Sequence, residues 1–112
     1  MSPSIIYVIL WFVKKNVFPN HEGEFGWGNG YAILPPGHPF HGKHHDDIPG
    51  VVVHGGLTFS GKVSDFDWNG LNQFDENCWI IGFDTCHDGD TIEEWSRDKV
   101  IEHTKFLLNQ LQ

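Results

Sequence analysis

Residues 78–84 read Cys-Trp-Ile-Ile-Gly-Phe-Asp, an apolar run that ends in a carboxylate. Aromatic and β-branched residues in a run of this length are typical of a β-strand. Alternate residues of a strand face opposite sides of a sheet, and here both sides are apolar, so we expect a central, buried strand. Asp84 would then stand at the end of that strand, where the core meets solvent.

The residues from Trp95 onward carry the signals of an α-helix. Ser96 can act as the N-cap, and Trp95 before it can pack on Val100 as a hydrophobic staple. Such a helix buries its apolar face against another element, and we expect that element to be the sheet. The side chains that recur at helical spacing are Val100, Ile101, Thr104, Leu107, Leu108 and Leu111.

Four other apolar segments are also predicted to be strands: 5–13, 31–34, 51–54 and 57–60. A short core helix is the alternative for the first of them. Residues 61–76 are expected to cross the core as an irregular segment. The elements together predict an α+β fold, a small, mostly antiparallel sheet packed against one C-terminal helix. We expect a single domain over 1–112, with an N-terminal strand and Gly-rich loop over 1–29 and a motif-bearing core over 30–112.

The charge balance limits the partners. The 112 residues include 15 Asp and Glu against 7 Lys and Arg, a formal net charge of −8 at pH 7. Binding to a nucleic-acid polymer or to an anionic membrane surface draws on clustered Lys and Arg, so neither partner is expected. The longest apolar run has nine residues, whereas a membrane-spanning helix needs about 20. Cys78 and Cys86 form no C-x-x-C pair, and two free thiols fit a reducing cytoplasm.

Residues 37–47 read Gly-His-Pro-Phe-His-Gly-Lys-His-His-Asp-Asp and lack periodicity. His and Asp are common metal ligands, and this loop offers six of them, beginning with His38. Pro39 and Gly42 disfavour a helix that would align the imidazoles, so the spacing does not preorganise a site. The alternative is an exposed polar loop.

Residues 51–61 read Val-Val-Val-His-Gly-Gly-Leu-Thr-Phe-Ser-Gly. A strand would deliver His54 to its end, and Gly55 and Gly56 would let the backbone turn sharply and approach a ligand. Backbone N–H groups in such a turn can bind an anion, and Thr58 adds a hydroxyl. The alternative is a plain bulge or hairpin turn.

The chain after the strongest strand continues as Thr-Cys-His-Asp-Gly-Asp, residues 85–90. A carboxylate beside an aromatic core must be paired, coordinated or protonated, and His87 lies three residues after Asp84. A carboxylate–imidazole pair suits general acid–base chemistry. The alternative is that Asp84 or Asp90 accepts backbone hydrogen bonds in the turn.

Three motifs in order, at 30–39, 53–60 and 79–90, resemble a family of small uncharacterised proteins of bacteriophages and prophage-bearing bacteria. They match the patterns GYxxxPxGHP, VHGGLTFS and WxIGFDxxHxGD. The resemblance covers the chain from residue 30 onward and implies a phage gene product that acts in the bacterial host cytoplasm. The family's motifs fall on Gly37, His38, His54, Gly55, Gly56, Thr58, Asp84, His87 and Asp90.

Three classes of function stay open, and the first is a binding protein for a small polar ligand. By analogy with compact phage inhibitors, we expect a nucleotide or a nucleotide-derived host defence signal. The scarcity of Lys and Arg favours a lightly charged ligand. The residues predicted to converge on its pocket are His38, His54, Gly55, Gly56, Thr58, Asp84, His87 and Asp90.

The second class is a metal-dependent hydrolase. His54, Asp84 and His87, with His38 or Asp90, would bind Zn²⁺, Mn²⁺ or a similar divalent ion that activates a water molecule. The sequence has no H-E-x-x-H motif to anchor such an ion. The third class is an acidic protein–protein interaction domain whose polar turns are only turns. A homodimer is compatible with its acidic surface and spare aromatics.

Overall fold

The computed structural model describes residues 7–16, 25–66 and 69–112. Within these residues, strands in the spatial order β1-β2-β4-β3 form one antiparallel sheet. A single α-helix in the described part of the chain packs against that sheet, which confirms the predicted α+β fold. The elements are β1 Leu10–Lys15, β2 Gly28–Leu34, β3 Phe59–Lys62, β4 Trp79–Phe83 and α1 Arg97–Leu111.

Strand β4 lies inside the sheet between β2 and β3, as its two apolar faces predict. Ile80 and Ile81 are both 0% exposed, although they face opposite sides of the sheet. Gly82 is required here, because a Cβ on it would lie 2.4 Å from Cδ1 of Tyr31 on β2. The position of β4 matters for the site, since the chain leaves its end directly into the Asp84 turn.

Helix α1 covers one face of the sheet. The side-chain hydroxyl of Ser96 accepts the backbone N–H of Lys99 at 3.3 Å, which confirms the predicted N-cap. Trp95 and Val100 lie in the same core cluster, in agreement with the predicted staple. The predicted stripe is buried apart from the half-buried Ile101, so the helix is fixed on the sheet by apolar burial.

The opposite face of the sheet is covered by residues 63–66 and 69–76 of the segment predicted to be irregular over 61–76, whereas Gly61 and Lys62 belong to β3. This segment contains two short 3₁₀ turns, Val63–Asp65 and Asn69–Gln73. Its aromatic side chains pack on those of the sheet; the ring of Phe66, for example, meets that of Tyr31 edge-on at 5.2 Å. The sheet is therefore enclosed between α1 and this segment.

The strand predicted over 51–54 is wrong. Residues 51–53 form no regular structure, and the N–H of Gly56 donates to the carbonyl of Val53 at 2.9 Å to close a turn. The backbone of Val52 pairs instead with a side chain of α1. Its N–H donates to Oε1 of Gln110 at 2.7 Å, and its carbonyl accepts from Nε2 of Gln110 at 2.8 Å. A glutamine amide thus takes the place of a neighbouring strand.

Other predicted boundaries moved by a few residues. β1 occupies the second half of the predicted 5–13 run, and Ile5 and Ile6 lie outside the described residues. β2 begins three residues before the predicted 31–34 segment, and β3 begins two residues after the start of the predicted 57–60 segment. Among the helices of the described ranges, none is both long and apolar enough to cross a membrane.

Packing between β2 and α1 leaves no room at Gly30. A Cβ there would lie 2.0 Å from Oγ1 of Thr104, a fully buried side chain whose hydroxyl donates to the Val100 carbonyl. We therefore expect Gly30→Ala to lower the free energy of unfolding by about 2 kcal/mol, the usual cost of overpacking a core. Urea unfolding followed by tryptophan fluorescence measures it.

The matched control is Gly37→Ala, because nothing lies within 4 Å of the position that its Cβ would occupy. We expect this variant to change the free energy of unfolding by less than about 1 kcal/mol. Equal effects of the two substitutions would contradict the close approach of α1 to β2.

Candidate functional site

Two turns meet beside the first half of α1 and bring three candidate ligands together. One turn holds His54, and the other follows β4 and holds His87 and Asp90. One ligand atom from each of these three side chains lies within 4.8 Å of the other two. We call His54, His87 and Asp90 the His54 cluster.

Asp90 is the most deeply buried member of the cluster, with 5% of its surface exposed. Its Oδ1 lies 2.8 Å from Nε2 of His54, and its Oδ2 accepts the backbone N–H of His87 at 2.9 Å. The N–H of Asp90 in turn donates to the His87 carbonyl at 2.9 Å. One carboxylate therefore closes its own turn and fixes the position of the His54 imidazole.

His54 is also held by its ring face and its backbone. Its imidazole stacks on Trp95 with ring centroids 4.2 Å apart and an interplanar angle of 29°. Its backbone N–H donates to Nε2 of His103 on α1 at 2.9 Å. Because Nε2 of His103 accepts this bond, that nitrogen carries no proton. The His54 ring is thus oriented before any ligand arrives.

The imidazole of His87 meets that of His54 edge-on, with ring centroids 5.2 Å apart. Its Nε2 lies 3.0 Å from Oδ1 of Asp84, but the N–H direction does not point at that oxygen. Nε2 is therefore shielded from solvent without a hydrogen-bond partner among the described residues. Buried polar atoms in this state are rare and call for an explanation such as a bound ion.

Gly55 allows His87 to approach the His54 turn. It has a φ of +70°, and a Cβ on it would lie 2.1 Å from Nε2 of His87. Gly56 also has a positive φ, +80°, but faces open space. The sharp turn predicted for the Gly-Gly pair is present, and Gly55 approaches a side chain of the cluster; the approach to a ligand stays a prediction.

Asp84 and Asp90 both act as turn caps, the alternative considered for them. Oδ1 of Asp84 accepts the backbone N–H of Cys86 at 3.2 Å. Both carboxylates also contact an imidazole, so capping and site roles coincide here. Burial and the nearby Asp84 raise the pKa of the Cys86 thiol, which keeps that thiol protonated at neutral pH.

The charge of this region favours a cation. Asp84 and Asp90 each lie against a histidine, and neither forms an ion pair with a Lys or Arg of the described ranges. Two imidazoles and a carboxylate are a common donor set for Zn²⁺ and related divalent ions in catalytic centres, where a further position stays open to water or substrate. The residues of the cluster therefore fit a divalent metal ion.

The structure does not bring His38 to this cluster. His38 is 5% exposed; its Nε2 donates to the carbonyl of Leu111 at 2.7 Å, and its Nδ1 accepts the N–H of Phe40 at 3.0 Å. Nε2 thus satisfies the C-terminal end of α1, and Nδ1 satisfies the backbone of the loop that follows β2. The helical rise places Leu111 about 12 Å along the axis from His103.

Thr58 also has a structural role, which its backbone performs. Its backbone N–H donates to the Gly82 carbonyl at 2.9 Å and its side chain is exposed.

The sequence reasoning gave Trp95 only a packing role and did not single out His103. Both residues contact His54 directly. The signal for His103 was its spacing, three residues after Val100 and four before Leu107, which places it beside the buried stripe of α1. No signal in the sequence paired it with the His54 turn, since 49 residues separate the two.

The chain matches no protein-family model, and neither a curated protein nor a solved structure is similar to it. The resemblance to phage proteins therefore stays a prediction.

The His103 contact predicts a dependence of stability on pH. Burial lowers the pKa of the His103 imidazole below its usual value, and the neighbouring His54 and Lys99 lower it further. The unfolded chain therefore binds the proton more readily than the folded chain. This contribution to stability is present above about pH 6.5 and is lost as the pH falls through the lowered pKa of the folded state.

We expect wild-type protein to lose more unfolding free energy than His103→Gln between about pH 7.5 and about pH 5. Glutamine can accept the His54 N–H but does not titrate. Urea unfolding of both metal-free proteins across this range makes the comparison. Parallel pH profiles would show that His103 titrates as in the unfolded chain.

The two glycines of the His54 turn provide an internal comparison. Gly55→Ala and Gly56→Ala both place alanine at positive φ, which costs about 1 kcal/mol. Only Gly55→Ala adds a clash with His87, so we expect it to be the less stable variant and to shift the His87 imidazole resonances in NMR spectra. Equal spectra for the two variants would contradict the contact between Gly55 and His87.

Proposed function

We propose that this chain is a metal-dependent hydrolase whose divalent ion is held by His54, His87 and Asp90. The observation that carries the proposal is the shielded, unpartnered Nε2 of His87, which lies within a cluster that also contains a second imidazole and a buried carboxylate. Bound there, Zn²⁺ or Mn²⁺ would lower the pKa of a coordinated water and polarise a carbonyl or phosphoryl oxygen of the substrate.

The residues around the ligands support this chemistry. Asp90 and Trp95 hold the His54 ring in one orientation, and the turn after β4 holds His87. Oδ1 of Asp84 lies 3.0 Å from the same nitrogen, Nε2 of His87, so a second negative charge would face an ion bound there. An ion bound by both His54 and Asp90 would replace the direct 2.8 Å contact between them, while Trp95 and the turn after β4 would keep the ligands close together.

The exposure of the ligands favours a catalytic site over a structural one. The side chains of His54 and His87 are 26% and 34% exposed, respectively. Structural zinc sites are closed by four protein ligands, whereas catalytic sites keep one position for water or substrate. Two imidazoles that reach the surface beside one buried carboxylate fit the second kind of site.

The nucleotide-binding hypothesis uses the same residues and has less support. An anionic ligand would face Asp84 and Asp90, and no contact of either with a Lys or Arg side chain is present in the described part of the chain. One face of Trp95 is already covered by His54. We therefore expect the substrate to be neutral or lightly charged.

Metal binding is tested first, on chelator-treated protein. Paramagnetic Co²⁺ should shift the imidazole resonances of His54 and His87 at near-stoichiometric addition. His54→Gln and Asp90→Asn should each weaken binding at this cluster by about 100-fold, since each removes a ligand. His41→Gln is the control, because His41 contacts the Asn77 carbonyl outside the cluster.

Hydrolysis is tested next with chromogenic esters, amides and phosphoesters of differing charge. We expect the Zn²⁺- or Mn²⁺-loaded protein to turn over a neutral member of the panel, and the metal-free protein and Asp90→Asn to lose at least about 100-fold in kcat/KM. Metal binding without turnover of any substrate would favour the binding protein. Absence of metal binding at the cluster would refute the proposal and favour the acidic interaction domain.

A further inference from the structure

A second group of ligands lies on the loop that follows β2. His44, His45 and Asp46 each offer one ligand atom within 4.8 Å of the other two. Nδ1 of His45 lies 3.2 Å from Oδ1 of Asp46, and Nδ1 of His44 lies 3.6 Å from Oδ2 of the same carboxylate. We call these three residues the loop site.

The backbone around the loop site is tied to the sheet. The N–H of His45 donates to Oγ of Ser60 on β3 at 2.9 Å, and the indole N–H of Trp79 on β4 donates to the carbonyl of Lys43 at 2.9 Å. The buried side chain of Ile48 follows the 3₁₀ turn His45–Asp47. The ligands are therefore carried by a fixed segment, although the loop lacks periodicity in the sequence.

The hydrogen bonding of the His45 imidazole is the second observation that points to a bound ion. Its Nδ1 is shielded from solvent and makes no hydrogen bond within the described ranges, although the Asp46 carboxylate is close. The His44 and His45 rings lie 4.1 Å apart between their centroids. An ion placed among these atoms would satisfy the His45 nitrogen. Nδ1 of His44 already accepts the backbone N–H of Asp46 at 3.2 Å, so His44 would bind the ion through Nε2 or give up this bond.

We propose that His44, His45 and Asp46 form a second divalent metal site, for Zn²⁺ or a related borderline ion, on the part of the 37–50 loop that the Ser60 and Trp79 bonds hold against the sheet. Imidazole and carboxylate donors suit such ions. The side chains of His44 and Asp46 are 57% and 76% exposed, so the ion is exchangeable and binds more weakly than at the His54 cluster. The inference does not depend on the proposed hydrolase activity.

The test uses the full chain, freed of metal with a chelator and titrated with Zn²⁺ by calorimetry and native mass spectrometry. We expect two ions per chain, a tighter and a weaker one. His45→Gln should remove the weaker ion and keep the tighter one. His54→Gln should do the reverse, and His41→Gln, from the same loop, should keep both.

A thermal readout shows whether the weaker ion binds preferentially to the folded state. In the His54→Gln background, Zn²⁺ at micromolar concentration should still raise Tm, because an ion that binds only the folded state stabilises it. Adding His45→Gln should abolish that rise. The inference is overturned if His45→Gln retains the weaker ion, if that ion binds only at millimolar Zn²⁺, or if its binding leaves Tm unchanged. None of these results bears on the His54 cluster, so the two proposals fail independently.

Discussion

The carboxylate of Asp90 is the contact on which the candidate site depends. It is almost fully buried, and a buried carboxylate is tolerated only when its oxygens are satisfied. One oxygen meets the His54 imidazole and the other meets the backbone of His87, so the two turns of the site are joined through a single side chain. Any change in the register of β4 would move Asp90 and separate the two histidines.

The sheet and helix determine where those turns meet. β4 runs through the interior of the sheet and ends at Phe83, so the turn that begins with Asp84 starts from a rigid position. The helix supplies His103 to the backbone of His54, and the segment before it supplies Trp95 to the imidazole face. The apolar packing of α1 on the sheet thus also controls the geometry of a polar cluster.

The parts of this architecture that have local signals could be predicted from the sequence. The apolar faces of β4, the Ser96 cap and the stripe of α1 are each encoded within a few neighbouring residues, and they were predicted correctly. The strand predicted over 51–54 failed because the amide of Gln110, 58 residues from Val52, replaces a strand neighbour. The β-propensity of residues 51–54 carries no information about a hydrogen-bond partner so far away in the sequence.

For the candidate site too, the features with a local sequence signal could be predicted, and those that depend on distant residues could not. Candidate ligands could be chosen from residue type and turn position, and His54, His87 and Asp90 do meet. Their grouping could not be read from spacing, and His38 was placed with them although it serves the end of α1. His103 lies in an ordinary helical pattern, and only the tertiary fold shows that it supports His54.

The contacts made by α1 have a consequence for biosynthesis. Bonds from this helix reach back 49 residues to His54, 58 to Val52 and 73 to His38. While α1 is still inside the ribosome, the emerged chain therefore lacks the partners that hold the His54 turn and the 37–50 loop. Assembly of the candidate centre must therefore wait until α1 has emerged, and a nascent chain would expose its sheet face to chaperones until the helix docks.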